Sequence, residues 1–153
     1  MIPLRTLLAP LAFLLLACSS FAKPADIYDE QLVGTEQIKA ALEIAKAEDK
    51  RVLLQFGANW CVWCHRLHEL YQSDSEVKTK LDSDYVLVLV DVNKGNNAEV
   101  NERYGKPTQH GLPVIVILDS DGAQLVTQET GALESGQGHD PAKVMAFLEK
   151  WSL

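Results

Sequence analysis

The sequence predicts an α/β fold, a central mixed β-sheet with helices on both faces. Three observations carry that expectation: short runs rich in β-branched and aliphatic residues at 51–57, 85–92 and 114–118, helical periodicity between the first two, and an Asp-Ser-Asp-Gly turn straight after the third. The 153 residues, 47% hydrophobic and 23% charged, suffice for one domain with its own core and leave no room for a second.

The first residues stand apart from that domain. Residues 1–22 hold one cation, Arg5, an apolar run from Leu7 to Ala17, and the small-x-small site Ser20-Phe21-Ala22, the pattern of a secretory signal peptide cleaved before Lys23. The run is shorter than the roughly 18–20 apolar residues that span a bilayer, and it contains Pro10. Leu15-Leu16-Ala17-Cys18 also resembles a lipobox, so a membrane-anchored lipoprotein acylated at Cys18 stands as the alternative. On either reading the chain leaves the cytoplasm, and the periplasm is the expected compartment.

A polar lead-in follows at 23–34, and the domain is expected over 35–153. Thr35 is placed to cap a helix that runs to about Asp49, with Ile38, Ala41, Leu42 and Ala45 at helical spacing. Arg51–Gly57 and Tyr85–Val92 read as buried strands. Between them, Cys61 to about Asp82 shows Trp63, Leu67, Leu70 and Tyr71 at helical spacing, with a break near Ser73-Asp74-Ser75, which makes a strand-helix-strand crossover. A turn-rich loop at 93–97, a short helix over Ala98–Tyr104 and a loop at 105–111 lead to Pro113, which opens a strand. Val114–Leu118, the turn 119–122 and Ala123–Gln128 form a hairpin. A glycine-rich loop at 131–138 precedes Asp140 and Pro141 at the cap and first turn of a last helix, which sets Val144, Phe147, Leu148 and Trp151 on one face.

Cleavage after Ala22 leaves 13 basic against 21 acidic residues, a net charge of −8, which argues against nucleic-acid binding. It also leaves two cysteines, Cys61 and Cys64. A two-residue spacer is too short for an ordinary structural staple, so a redox pair, a metal site or a haem site is implied. A cysteine at the start of the helix after the first core strand meets unpaired N–H groups and a partial positive charge that favour thiolate over thiol. Cys61 is therefore the expected nucleophile, and Cys64, one turn further in, the expected resolving thiol.

The run Phe56-Gly57-Ala58-Asn59-Trp60-Cys61-Val62-Trp63-Cys64 resembles the active-site run of the thioredoxin superfamily, and Gly111-Leu112-Pro113-Val114 resembles its second signature. The resemblance covers about 51–151 and is nearest to periplasmic thioredoxin-like domains that reduce disulfides. It implies a thioredoxin-like fold in which Trp60 shapes the surface beside the nucleophile and Pro113, in a cis peptide, faces the sulfurs and helps hold an extended substrate. Two departures stand out: the position of the family's buried carboxylate is Gln55, which cannot act as a base, and its helix-kinking proline is replaced by Glu69.

Cys61, Cys64, His65 and His68 share one arc of the helix. His65 and His68 are candidate modulators of the cysteine pKa values, with His65 expected near solvent and His68 at the boundary of a core side defined by Trp63, Leu67, Leu70 and Tyr71. Four ligands from one short helix enclose a metal poorly, so no resident metal is expected, while transient copper or zinc binding stays open. Cys61-Val62-Trp63-Cys64-His65 also satisfies C-x-x-C-H, so a non-enzymatic module binding c-type haem or metal is the alternative from another class. Against haem, Met145 lies in the last helix and His110 and His139 in loops, leaving no well-placed axial ligand.

The sequence thus predicts thiol-disulfide exchange on disulfide-containing proteins or peptides, without a bound cofactor, by a monomer that an upstream redox partner resets. Val62 and Trp63 bring no charge between the cysteines, which favours a reductant or isomerase-type donor over a strong oxidant.

Overall fold

The computed structural model describes residues 25–153, so the signal-peptide segment and Cys18 lie outside the described residues. Helix α1 spans Gly34–Glu48 and buries Ile38, Ala41 and Ala45, the periodic positions. Thr35 is not its cap. The N-cap is Val33, whose side chain cannot accept a hydrogen bond, and the Gly34 amide donates instead to Asn97 Oδ1 at 2.7 Å, across a sequence gap no local pattern reveals. The helix ends at Asp49, which takes a left-handed conformation.

Strand β1 (Arg51–Gly57) is central. It pairs in parallel with β2 (Tyr85–Asp91) and antiparallel with β3 (Val114–Leu118), which pairs antiparallel with β4 (Gln124–Glu129), giving the order β2-β1-β3-β4. The expected mixed sheet is therefore present. The crossover from β1 to β2 runs through α2 (Val62–Ser73) and α3 (Ser75–Asp84), split where the Asp74 side chain accepts the Glu76 and Val77 amides at 3.1 and 3.0 Å.

Alternation along the inner strands builds two cores. Val52, Leu54 and Phe56 of β1 join Val114, Val116 and Leu118 of β3 beneath α1 and the short α4 (Ala98–Arg103). Leu53, Ile115 and Ile117 point to the other face, against α2, α3 and the last helix, α5 (Pro141–Trp151). Truncating one of these fully buried side chains to Ala typically costs about 2–5 kcal/mol. Gln55 stands on this second face, between Leu53 and Gly57 of β1.

Three expected loops carry more structure than their glycines suggest. Short 3-10 turns occupy 93–95 and 107–110. The glycine-rich segment holds a 3-10 turn at 130–133 and a small hairpin of β5 (Glu134–Ser135) and β6 (Gly138–His139) before Asp140 caps α5 as the sequence predicts.

That hairpin buries His139 edge-on against Trp63, with ring centroids 5.7 Å apart. Neither of its ring nitrogens meets a partner among the described residues. Burial first, and the Arg66 charge second, lower its pKa from 6.5 to about 4. His68 is also lowered, by burial and then by His65. A histidine whose pKa is depressed on folding binds its proton more readily in the unfolded chain, so stability is complete above about 6.5 and lost as pH falls towards 4. The urea midpoint should therefore drop between pH 7 and pH 5. The drop should be smaller in His139→Phe, which keeps the ring against Trp63 and has no proton to gain; an equal drop in both proteins would remove His139 as its source.

Candidate active site

Cys61 is the N-cap of α2. Its Sγ accepts the Cys64 amide at 3.1 Å and so lies at the positive end of the helix, the position that stabilises a thiolate. Cys61 and Cys64 form a disulfide with Cα atoms 5.2 Å apart. The two sulfurs are not equivalent: Cys61 is 5% exposed at the rim, whereas Cys64 is fully enclosed. Of the two sulfurs, that of Cys61 is the one nearer to solvent.

The rim around Cys61 is apolar and open. Trp60 is 66% exposed and Val62 58%. Trp60 is nevertheless held, because its Nε1 donates to Asn93 Oδ1 at 3.1 Å. On the opposite side Leu112 packs against the cysteine cluster and the Leu112–Pro113 peptide is cis. Val114 pairs with Phe56, which puts Pro113 level with Gly57 and the start of the cysteine segment. Trp60, Cys61, Cys64 and the Leu112–Pro113 segment thus converge at the end of β1.

The histidines do not. His65, expected near solvent, is half-buried with Nε2 2.8 Å from the Asn59 carbonyl oxygen, so that nitrogen is the donor and is turned to the backbone. His68 lies further along, its Nδ1 buried and without a partner among the described residues. The core side of α2 also differs from the expected one. Cys64, Leu67 and Tyr71 are its buried positions, while Trp63 is only half-buried, between His139 and the Arg66 guanidinium 4.7 Å from its ring centre.

Among the described residues no group of three or more His, Cys, Asp or Glu is arranged to hold a metal. Covalent haem attachment at Cys61-x-x-Cys64-His65 would need both sulfurs at the surface, and Cys64 is enclosed.

Sequence reasoning missed Tyr28 and Asn59. The polar lead-in bends into the site: Asn59 Oδ1 accepts the Ile27 and Tyr28 amides at 3.0 and 2.9 Å, and its Nδ2 donates to the Tyr28 carbonyl at 2.9 Å. Tyr28 is 2% exposed and packs with Cys61 and Cys64. Its hydroxyl accepts from Gln55 Nε2 at 2.6 Å, and the same nitrogen reaches the Cys64 carbonyl oxygen at 3.5 Å. Gly57 shows how close these groups are: a Cβ there would overlap both the Tyr28 hydroxyl and the Cys64 sulfur. The one available signal was an aromatic residue next to Ile27 in an otherwise polar stretch.

The thioredoxin-like family model matches residues 34–120. Thiol:disulfide interchange protein DsbD of Yersinia pestis is 34% identical over 109 residues, which are 71% of this chain and 18% of that protein. DsbD of Campylobacter jejuni is 28% identical over 121 residues, 79% of this chain and 20% of that protein. The chain thus spans about a fifth of the length of these curated relatives. A solved structure named a disulphide isomerase, from Xylella fastidiosa Temecula1, superposes with a TM-score of 0.72 at 32% identity, covering 81% of this chain and 95% of that one. With Cys61 capping α2 in a disulfide to Cys64, a cis-proline level with it and this match over most of the domain, the chain belongs to the thioredoxin-like family.

Proposed function

We propose that the chain is an exported thiol-disulfide oxidoreductase that works in the periplasm as a monomeric disulfide reductase or isomerase-type donor. Its substrates are protein or peptide disulfides, and an upstream dithiol partner resets its cysteine pair. The observation that carries this reading is the asymmetric disulfide, with Cys61 at the rim on the end of α2 and Cys64 enclosed beneath it. Exposed Trp60 and Val62 offer an apolar rim to an extended peptide. The pattern of residues 1–22 supports export through a cleaved signal peptide, with acylation at Cys18 as the second reading. The relatives named for disulfide interchange and isomerisation support the reaction class.

In the donor direction, Cys61 thiolate attacks one sulfur of a substrate disulfide and the other sulfur leaves as thiolate. Cys64 thiolate then attacks Cys61 Sγ, the substrate's second sulfur leaves, and the internal disulfide closes. Two electrons pass from the pair to the substrate.

The direction of exchange follows from what surrounds Cys61. Val62 and Trp63 bring no charge, and the His65 nitrogen is spent on the Asn59 carbonyl, so the helix terminus is the main stabiliser of the thiolate. A weakly stabilised thiolate gives a reducing pair, nearer the roughly −270 mV of thioredoxin than the roughly −120 mV of the strongly oxidising bacterial enzyme.

Two measurements test the proposal. In cells, Cys64→Ser should accumulate mixed disulfides with envelope proteins through Cys61, while Cys61→Ser should trap none and lose insulin-reducing activity; equal trapping by both variants would reverse or remove the assigned roles. In vitro, a glutathione redox titration of the wild-type protein should give a midpoint well below about −200 mV. A value above about −160 mV would make the protein an oxidant and overturn the donor direction.

A further inference from the structure

Cys64 sits in surroundings that oppose its chemistry. As the resolving thiol it must carry a negative charge, yet it is fully enclosed among Tyr28, Leu89, Leu112 and Cys61, and burial raises a thiol's pKa. Its charged and titratable neighbours bring little help. Asp91, at the end of β2 and paired in register with Gly57, is a buried carboxylate that disfavours a second negative charge. Tyr71 follows two turns along α2, its hydroxyl without a partner among the described residues. On the same helix His65 is turned to a carbonyl, and His68 is held towards its neutral form by burial.

Tyr28 is the exception. Its hydroxyl and the Cys64 sulfur flank the same point above Gly57, so close that no side chain fits between them and the backbone. Gln55 Nε2 donates to the Tyr28 oxygen at 2.6 Å, and the amide is oriented by its second contact to the Cys64 carbonyl. With a lone pair engaged by Gln55, the hydroxyl hydrogen is left free to point at the sulfur.

We propose that Tyr28 is the hydrogen-bond donor that stabilises the Cys64 thiolate, with Gln55 polarising it from behind. This rests on the thiol-disulfide exchange proposed above. When a substrate is held on Cys61, Cys64 thiolate accepts the Tyr28 O–H hydrogen bond until it attacks Cys61 Sγ; the substrate thiolate then leaves and the hydrogen bond is given up as the disulfide forms. In the resetting direction a partner thiolate attacks Cys61 Sγ, the S–S electron pair departs on Cys64, and the same hydrogen bond receives it. No proton leaves the tyrosine in either step, since burial keeps the phenol protonated far above neutral pH. The chain Gln55 N–H to Tyr28 O–H to sulfur strengthens each link in a low-dielectric setting. It performs, without a titrating base, the task of making a buried thiol reactive.

The test separates the two thiols. The reduced exported protein reacts with a chromogenic aromatic disulfide in two phases, the first reporting attack by Cys61 and the second the resolving attack by Cys64. Hydrogen bonds to charged groups contribute about 1.5–3 kcal/mol, and because a less stabilised thiolate is also more nucleophilic, Tyr28→Phe should slow the second phase several-fold at pH 7. Its pH profile should move up by about one unit or more while the first phase stays unchanged. Tyr28→3-fluorotyrosine, a stronger donor of nearly the same shape, should move the second phase the opposite way, and it provides the readout where the phenylalanine variant folds poorly. Equal slowing of both phases, or an unmoved second profile in both variants, would make Tyr28 a packing residue and overturn the proposal. A wild-type protein that releases only one equivalent of aromatic thiolate per chain, instead of the two that closing the internal disulfide requires, would instead overturn the exchange reaction itself.

Discussion

The fold around the cysteines depends on a missing side chain. β1 ends at Gly57, and into the space where any other residue would carry a Cβ come the Tyr28 hydroxyl from one side and the Cys64 sulfur from the other. This close approach lets α2 begin against the end of the sheet, brings the cis-proline segment level with the sulfurs, and gives the lead-in a place to dock. A methyl group at 57 would separate all three, and overpacking of this kind typically costs about 1–3 kcal/mol.

Asparagine side chains join these pieces. Asn59 supplies three hydrogen bonds to the lead-in backbone. Asn93 accepts from the Trp60 indole and donates to Glu30, Asn96 reaches the Glu30 carbonyl and Asp91, and Asn97 bridges the Asp91 carbonyl to the Gly34 amide at the start of α1. An amide donates and accepts at once, so a short loop can tie a strand end, a helix start and an exposed tryptophan together without adding a charge of its own. The surface that a substrate would meet is thereby braced from behind.

Much of this was legible in the sequence, for reasons that can be traced. Runs such as 114–118 are apolar without alternation because β3 is buried on both faces, and Asp140 announces its helix because it caps its own first turn. Thr35 misled because the real partner of the Gly34 amide lies 63 residues away. The buried side of α2 was misread because Cys64 counts as core, so the apolar arc is turned towards the sulfur and Trp63 rotates outward. Cys61 and Cys64 could be named because their signal lies in spacing, and Trp60 and Pro113 because the runs around them resemble the two thioredoxin signatures. Tyr28 could not, since its role rests on tertiary hydrogen bonds to residues 27 and 31 positions further along the chain.

Among the described residues, the lead-in is held to the domain mainly by hydrogen bonds and one aromatic ring, and it joins none of the strands of the sheet. Segments attached this way open at lower free energy than the sheet they rest on. If Tyr28 binds the thiolate more strongly than the disulfide, thermodynamic linkage requires the converse: reduction of the pair must grip the segment around Tyr28 more firmly by the same free energy. The oxidation state of two sulfur atoms is then also written in the stiffness of a surface segment, where a partner protein could read it without touching either cysteine.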